Sequence, residues 1–191
     1  MSLFVSKRER RLWYWTIAAS VAIFSGIWLS GSLAEFLRDR GWLTTAFWIA
    51  MMLVMLSIII YGIKTRPSGM EVVIWVGLAA IYLMVALRIY APEERSHLIE
   101  YSVLALFILE TLRERRKHIG VPKYAAWAAL GLTTAIGILD EVVQFFVPER
   151  VFDLIDIAFD FLAATMAIVG SVILEWARSK IQNFLDSQKK Q

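Results

Sequence analysis

A chain of 191 residues that is 59% hydrophobic and 19% charged is more apolar than a soluble domain, which runs at about 45–50% apolar residues. Its net charge of +3 comes with no basic helix or aromatic-basic module, so nucleic acid is not an expected partner. The absence of cysteine excludes disulfides, thiolate metal sites, haem attachment and cysteine nucleophiles.

Six apolar runs dominate the chain, continuous rather than alternating, which favours membrane-spanning helices over a barrel. The first covers 13–33 and the second 42–63. The third covers 72–90, the fourth, a short one, 97–112, the fifth 124–146 and the sixth 154–176. The basic stretch before the first run, with Ser30, Gly31 and Ser32 beyond it, has features of a signal peptide, but the run is long for one and reads as a retained helix. The expected fold is an all-α polytopic bundle of about six transmembrane helices, one transmembrane domain over 1–191.

Lys and Arg set the orientation. Fifteen of the 20 basic residues lie before the first span, in the second and fourth loops, or in the tail: Lys7, Arg8, Arg10, Arg11, Lys64, Arg66, Arg113, Arg115, Arg116, Lys117, Lys123, Arg178, Lys180, Lys189 and Lys190. The alternate loops hold Arg38, Arg40, Arg95 and Arg150, with Arg88 at the end of the third span. Both termini are therefore expected in the cytoplasm, with Trp and Tyr near the span ends as interfacial anchors.

This topology puts the unusual polar residues at one depth, toward the outside. Arg88 ends the third span. His97, Glu100 and Tyr101 open the fourth and share a helical face. Asp140, Glu141 and Gln144 close the fifth. Arg150 lies in the loop, and Asp153, Asp156 and Asp160 open the sixth at spacings of three and four. That last face continues through Ala163, Ala164, Ala167, Gly170 and Ser171, small residues that let helices pack closely in lipid, so its aspartates are expected to face the bundle interior. Alternatives stay open residue by residue. Asp153 also suits an N-cap, Glu149 and Arg150 a solvated pair, and His97 an interfacial structural role. Ionisable groups within the membrane are nonetheless functional-site candidates by default.

At these residues the chain resembles the VanZ-like family of bacterial membrane proteins, named after a teicoplanin-resistance protein. HLIEYSVLAL, from His97, is similar to the family's His and Tyr block. EVVQFFVPERVFDLIDIAFD, from Glu141, is similar to its Glu-x-x-Gln, Phe-x-Pro-x-Arg and Asp-x-x-Asp series, here Glu141, Gln144, Phe146, Pro148, Arg150, Asp153 and Asp156. The match spans 88–172 and leaves 1–70 outside. The family usually has Asn where this chain has Asp160, and Gly where it has Ala163. The resemblance implies a multi-pass protein of the bacterial inner membrane acting at the cell envelope, in the context of glycopeptide resistance.

Three functions fit these residues. The first is an outward-facing polar pocket for an envelope component, lipid-linked or headgroup, with Arg88 or Arg150 able to meet a phosphate. Asp153, Asp156 and Asp160 have a spacing that can hold Mg²⁺ against a diphosphate, although caps and solvated faces give the same pattern; no resident cofactor or metal is expected. An enzymatic form would use Glu141 or Asp156 as general base with His97, but no nucleophile motif, HExxH or phosphate loop accompanies them, and the reading leans away from catalysis. The second function is a non-catalytic subunit or assembly factor with a membrane-protein partner. The third is a small proton- or cation-coupled transporter, disfavoured because the inner halves of the spans lack a matching polar path.

Overall fold

The computed structural model describes residues 4–42, 68–88, 92–119, 124–148 and 150–188, with Thr45, Trp48, Ile49, Met52 and Leu56. Among them are five helices: α1 (Lys7–Asp39), α2 (Gly69–Arg88), α3 (Pro92–Ile119), α4 (Ala125–Gln144) and α5 (Leu154–Gln188). The fold is all-α. The second expected span, 42–63, lies almost wholly outside the described residues.

Three of these helices, α2, α4 and α5, are long and apolar enough to cross a membrane, which among the described residues is fewer than the six spans the sequence suggests. The first and fourth runs do form helices. In α3 the shortfall has a simple cause: Glu100 and Glu110 interrupt its short apolar run, and Arg113 and Glu114 follow it directly. Helices also outrun the apolar limits. α5 has 35 residues, about 52 Å at 1.5 Å per residue, against a hydrocarbon core of roughly 30 Å. Apolarity marks the lipid boundary, and the helix continues as long as its backbone bonds are made.

Local sequence starts the helices. Ser6 and Glu9 flank the first turn of α1: Ser6 Oγ accepts from Glu9 N at 3.0 Å, and Glu9 Oε2 accepts from Val5 N. Ser68 and Glu71 do the same for α2, Glu71 Oε2 accepting from Ser68 N at 2.8 Å and Ser68 Oγ from Glu71 N at 3.3 Å. Both are Ser-x-x-Glu boxes that satisfy amides lacking intrahelical partners. At the far end of α1, Gly41 adopts a φ of +67°, the left-handed turn that ends helices and suits glycine.

The chain forms two compact units. The first comprises Met1–Ala34 and Glu93–Val169, and α3 is its centre. Leu98, Tyr101, Leu104, Ala105, Ile108 and Leu109 are all buried, at steps of three and four that form one broad face. Ile23 and Ile27 of α1, Ala129 of α4 and Ala163, Ala164, Ala167 and Ile168 of α5 complete this core. Trp15 stacks on Phe107, ring centroids 6.3 Å apart. At the charged end of α3, Glu114 accepts from Ser6 Oγ at 3.1 Å and Arg8 at 3.2 Å, and Arg115 reaches buried Glu9 at 3.4 Å.

The second unit comprises Glu35–Pro92 and Gly170–Gln191. Arg178 of α5 pairs with Glu71 of α2. A Cβ at Gly170 would lie 3.1 Å from both methyl carbons of Leu78, a close approach that glycine permits. Only 11% of the apolar window of α2 is buried, and Val73, Val76, Met84 and Leu87 are exposed, which is compatible with a helix that crosses a membrane.

Candidate functional site

The site lies in the first unit, where α3, α4 and α5 meet. On α4 the buried residues Ala129, Thr133, Gly137, Asp140, Glu141 and Gln144 recur every three or four positions. The upper part of that stripe is apolar or self-satisfied, with Thr133 Oγ1 donating to Ala129 O at 2.9 Å. Its last turn is polar. On α5 the face from Asp160 through Ala163, Ala164, Ala167 and Gly170 is buried, as the small-residue spacing predicts. α3 supplies His97 and Tyr101.

His97 Nδ1 pairs with Asp160 Oδ1 at 3.0 Å, with Asp160 1% exposed and His97 15%. The His97 ring stacks on Tyr101, centroids 5.8 Å apart and planes 17° apart, which fixes its orientation. Gly137 makes room for this pair: a Cβ there would lie 2.7 Å from Asp160 Oδ2 and 3.2 Å from its Cβ. Beside it, Ser102 Oγ lies 2.6 Å from Leu98 O and 3.2 Å from Ala163 O, joining α3 to α5 through a backbone carbonyl.

Glu141, fully buried, has both carboxylate oxygens occupied. Its Oε1 accepts from Gln144 Nε2 at 2.8 Å and its Oε2 from Asp153 N at 2.9 Å. It ties the end of α4 to the start of α5. Gln144 also approaches Asp140 Oδ2, at 3.4 Å. Asp153 Oδ1 accepts from Ile155 N at 2.7 Å, which makes it the N-cap of α5.

The expected site residues therefore divide. His97, Tyr101, Asp140, Glu141, Gln144 and Asp160 form one buried polar network. Glu100, Asp156 and Arg150 are half-buried at its rim; Glu100 and Asp156 act electrostatically on His97, and Arg150 on Asp140 and Asp156. Asp153 is exposed and caps its helix, so Asp153, Asp156 and Asp160 do not form one coordinating face. Among the described residues no group of three or more acidic or His side chains is arranged to hold a metal ion. His97 is paired with Asp160, not with the Glu141 or Asp156 of the enzymatic alternative, and both Glu141 oxygens are occupied. Arg88 is exposed at the end of α2, in the second unit. The side chains of Glu93, Glu94, Arg95 and Glu149 lie outside the described residues. Gly137 and Ser102 were not legible as site residues from polarity, although Gly137 falls three residues before Asp140 and four before Glu141.

Three atoms stand out. Tyr101 Oη, Asp140 Oδ1 and Asp160 Oδ2 are buried and make no hydrogen bond within 3.5 Å among the described residues, although the Tyr101 hydroxyl lies close enough to the Asp140 carboxyl to donate to it. Buried polar groups are nearly always paired, and an unmatched buried acceptor costs about 1–3 kcal/mol, more when charged. A surface groove of about 360 Å³ along Ile17, Ser20, Val21, Phe24 and Ser25 of α1 includes none of this network. Comparison with protein-family models, curated proteins and solved structures finds no match for the chain.

Proposed function

We propose that this chain is a multi-pass protein of the bacterial cytoplasmic membrane, with six spans and both termini in the cytoplasm, whose polar site binds an envelope component at the outer leaflet. The ligand class is a lipid headgroup or lipid-linked molecule, and the cellular setting is tolerance of glycopeptides, as the VanZ-like resemblance implies. One observation carries the reading: the half-buried acids Glu100 and Asp156 act on the buried His97–Asp160 pair, and Asp160 Oδ2 has no hydrogen-bond partner among the described residues. Intramembrane ionisable groups are costly and mark functional sites.

The test is native mass spectrometry of gently solubilised protein, wild type beside Asp156→Asn. A phospholipid or polyprenyl-type lipid carried by the wild type and lost in the variant supports binding at the rim. Equal lipid in both, with unchanged glycopeptide tolerance, sinks it.

A second reading has its own observation. Glu141, saturated by Gln144 and the Asp153 amide, behaves as an internal lock, which suits a non-catalytic subunit or assembly factor. A stoichiometric protein partner retained in wild type and Asp156→Asn alike would favour it.

A further inference from the structure

We infer that the groove along α1 seats one anionic phospholipid of the inner leaflet, of the phosphatidylglycerol class, with its phosphate at Lys7 and Arg10. The site is separate from the outward polar network. It rests only on the placement of α1 in the bilayer, cytoplasmic end at Lys7, proposed above. Lys7, Arg10, Tyr14, Ile17, Val21 and Phe24 follow one another at alternating steps of three and four, which sets them in one stripe along the helix. The first five are exposed and Phe24 is half-buried, while Glu9, Thr16, Ile23 and Ile27 on the other side of α1 are buried. Ile17, Val21 and Phe24, with Ser20 and Ser25, line the groove of about 360 Å³.

The stripe changes chemistry along its length as a phospholipid does. Two cations come first, then an exposed phenol, then apolar side chains. At 1.5 Å per residue, Tyr14 to Phe24 covers about 15 Å, half of a hydrocarbon core of roughly 30 Å, so the apolar part has the depth of one leaflet. Lys7 and Arg10 have no acidic partner among the described residues. The acids at this end are already taken, Glu9 by Arg115, Glu110 by Arg8 and Arg113, and Glu114 by Arg8 and Lys117. Positive charge left unneutralised at the mouth of an apolar groove selects an anionic headgroup, whose phosphate takes charge-assisted bonds from both cations. A zwitterionic lipid would bring its own positive group into the same charge, and an apolar protein helix would bury both cations without a partner.

The experiment uses the full chain in nanodiscs of phosphatidylcholine with phosphatidylglycerol or phosphatidylethanolamine added, read by native mass spectrometry. Selective retention of phosphatidylglycerol is expected, weakened about fivefold by Lys7→Gln or Arg10→Gln and lost in Val21→Trp, which fills the groove. Arg11→Gln removes the same charge from an exposed position off the stripe and should weaken retention less. Equal weakening by Arg10→Gln and Arg11→Gln, or no phosphatidylglycerol preference in the wild type, overturns the site. A dimer or co-purified protein that Val21→Trp removes while lipid retention stays unchanged makes the groove a protein interface and overturns it too. Retention lost in Asp156→Asn but kept in Arg10→Gln moves the lipid to the outward network, which overturns this inference and leaves the envelope reading standing. Ser25→Cys, in a chain without native cysteine, reports on the shared premise. Its reaction with a membrane-impermeant maleimide in nanodiscs would put α1 outside the bilayer and overturn the inference together with the six-span topology. Protection there with no lipid preference overturns the inference alone.

Discussion

Gly137 and Asp160 occupy the same space: the carboxylate of Asp160 sits 2.7 Å from the point where a Cβ at position 137 would lie. Asp160 reaches His97 only because α4 offers no side chain there. Ala is about 1 kcal/mol better than Gly inside a helix, so on propensity alone Gly137→Ala would stabilise. The steric reading gives the opposite sign. The methyl displaces a buried carboxylate from its histidine, and overpacking of this kind costs about 1–3 kcal/mol. Thermal unfolding in detergent should show Gly137→Ala destabilised. Its effect should shrink in an Asp160→Ala background, where the 2.7 Å clash with Oδ2 is gone and only the 3.2 Å approach to Cβ remains, because neighbouring sites are not additive. A stabilised Gly137→Ala in the wild-type background would show that the close approach is not a constraint.

Glu141 and Asp153 make a second testable connection. The Glu141 carboxylate holds the Asp153 amide, and the Asp153 carboxylate holds the Ile155 amide, so one relay runs from the end of α4 into the first turn of α5. Asp153→Ala removes a cap, for about 1 kcal/mol. Glu141→Ala removes the partner of two donors, one of them a backbone amide, for about 2–4 kcal/mol. Hydrogen exchange at the start of α5 should rise in both, and more in Glu141→Ala. Glu141→Gln should recover part of the loss, since its amide oxygen still accepts one bond. An unchanged exchange pattern in Glu141→Ala would remove the lock from the account.

The legible part of this structure was the part written in period and polarity. The small-residue face of α5 predicted which side of the helix is buried and turned Asp160 inward. The depth shared by His97, Tyr101, Asp140, Glu141 and Gln144 foretold their convergence. Asp153 shares the spacing of Asp156 and Asp160 but precedes the helix, and of its two readings the N-cap is the one the structure takes. Pairings across helices were not readable. Nothing in the spacing chooses Asp160 over Glu141 as the partner of His97; Gly137 makes that choice, through a volume that polarity does not record. The Ser-x-x-Glu boxes at Ser6 and Ser68 were in principle visible. Their serines stand in or beside polar, basic stretches whose stronger signal is topological.

Topology can be measured without disturbing the native chain, because it contains no cysteine to remove. Phe152→Cys lies before α5, and Ser187→Cys lies at its far end. Both positions are exposed. In intact cells a membrane-impermeant maleimide should label Cys introduced at 152 and spare that at 187, which should react only after permeabilisation. Labelling at 187 in intact cells, with 152 protected, would invert the orientation drawn from Lys and Arg. Labelling at both would mean that α5 does not cross the membrane.

Glu114 sets a pH dependence at the charged end of the first unit. Burial alone would raise its carboxyl, but the hydrogen bond from Ser6 and the charges of Arg8 and Lys117 outweigh burial and hold it below its ordinary value. A carboxylate held lower in the folded than in the unfolded chain stabilises the fold fully at pH above its ordinary value. That contribution disappears as pH falls through the folded-state value, because both states then carry the proton. Other acids titrate over the same range, so the informative quantity is the stability difference between wild type and Glu114→Gln. It should favour wild type at neutral pH and shrink toward zero on acidification. High salt should reduce the Arg8 and Lys117 part, since both side chains are largely solvent-exposed, and leave the Ser6 bond. A difference that stays constant or grows as the pH falls would mean that the clasp between α1 and α3 is held by packing such as Trp15 on Phe107, with its ion pairs contributing nothing measurable.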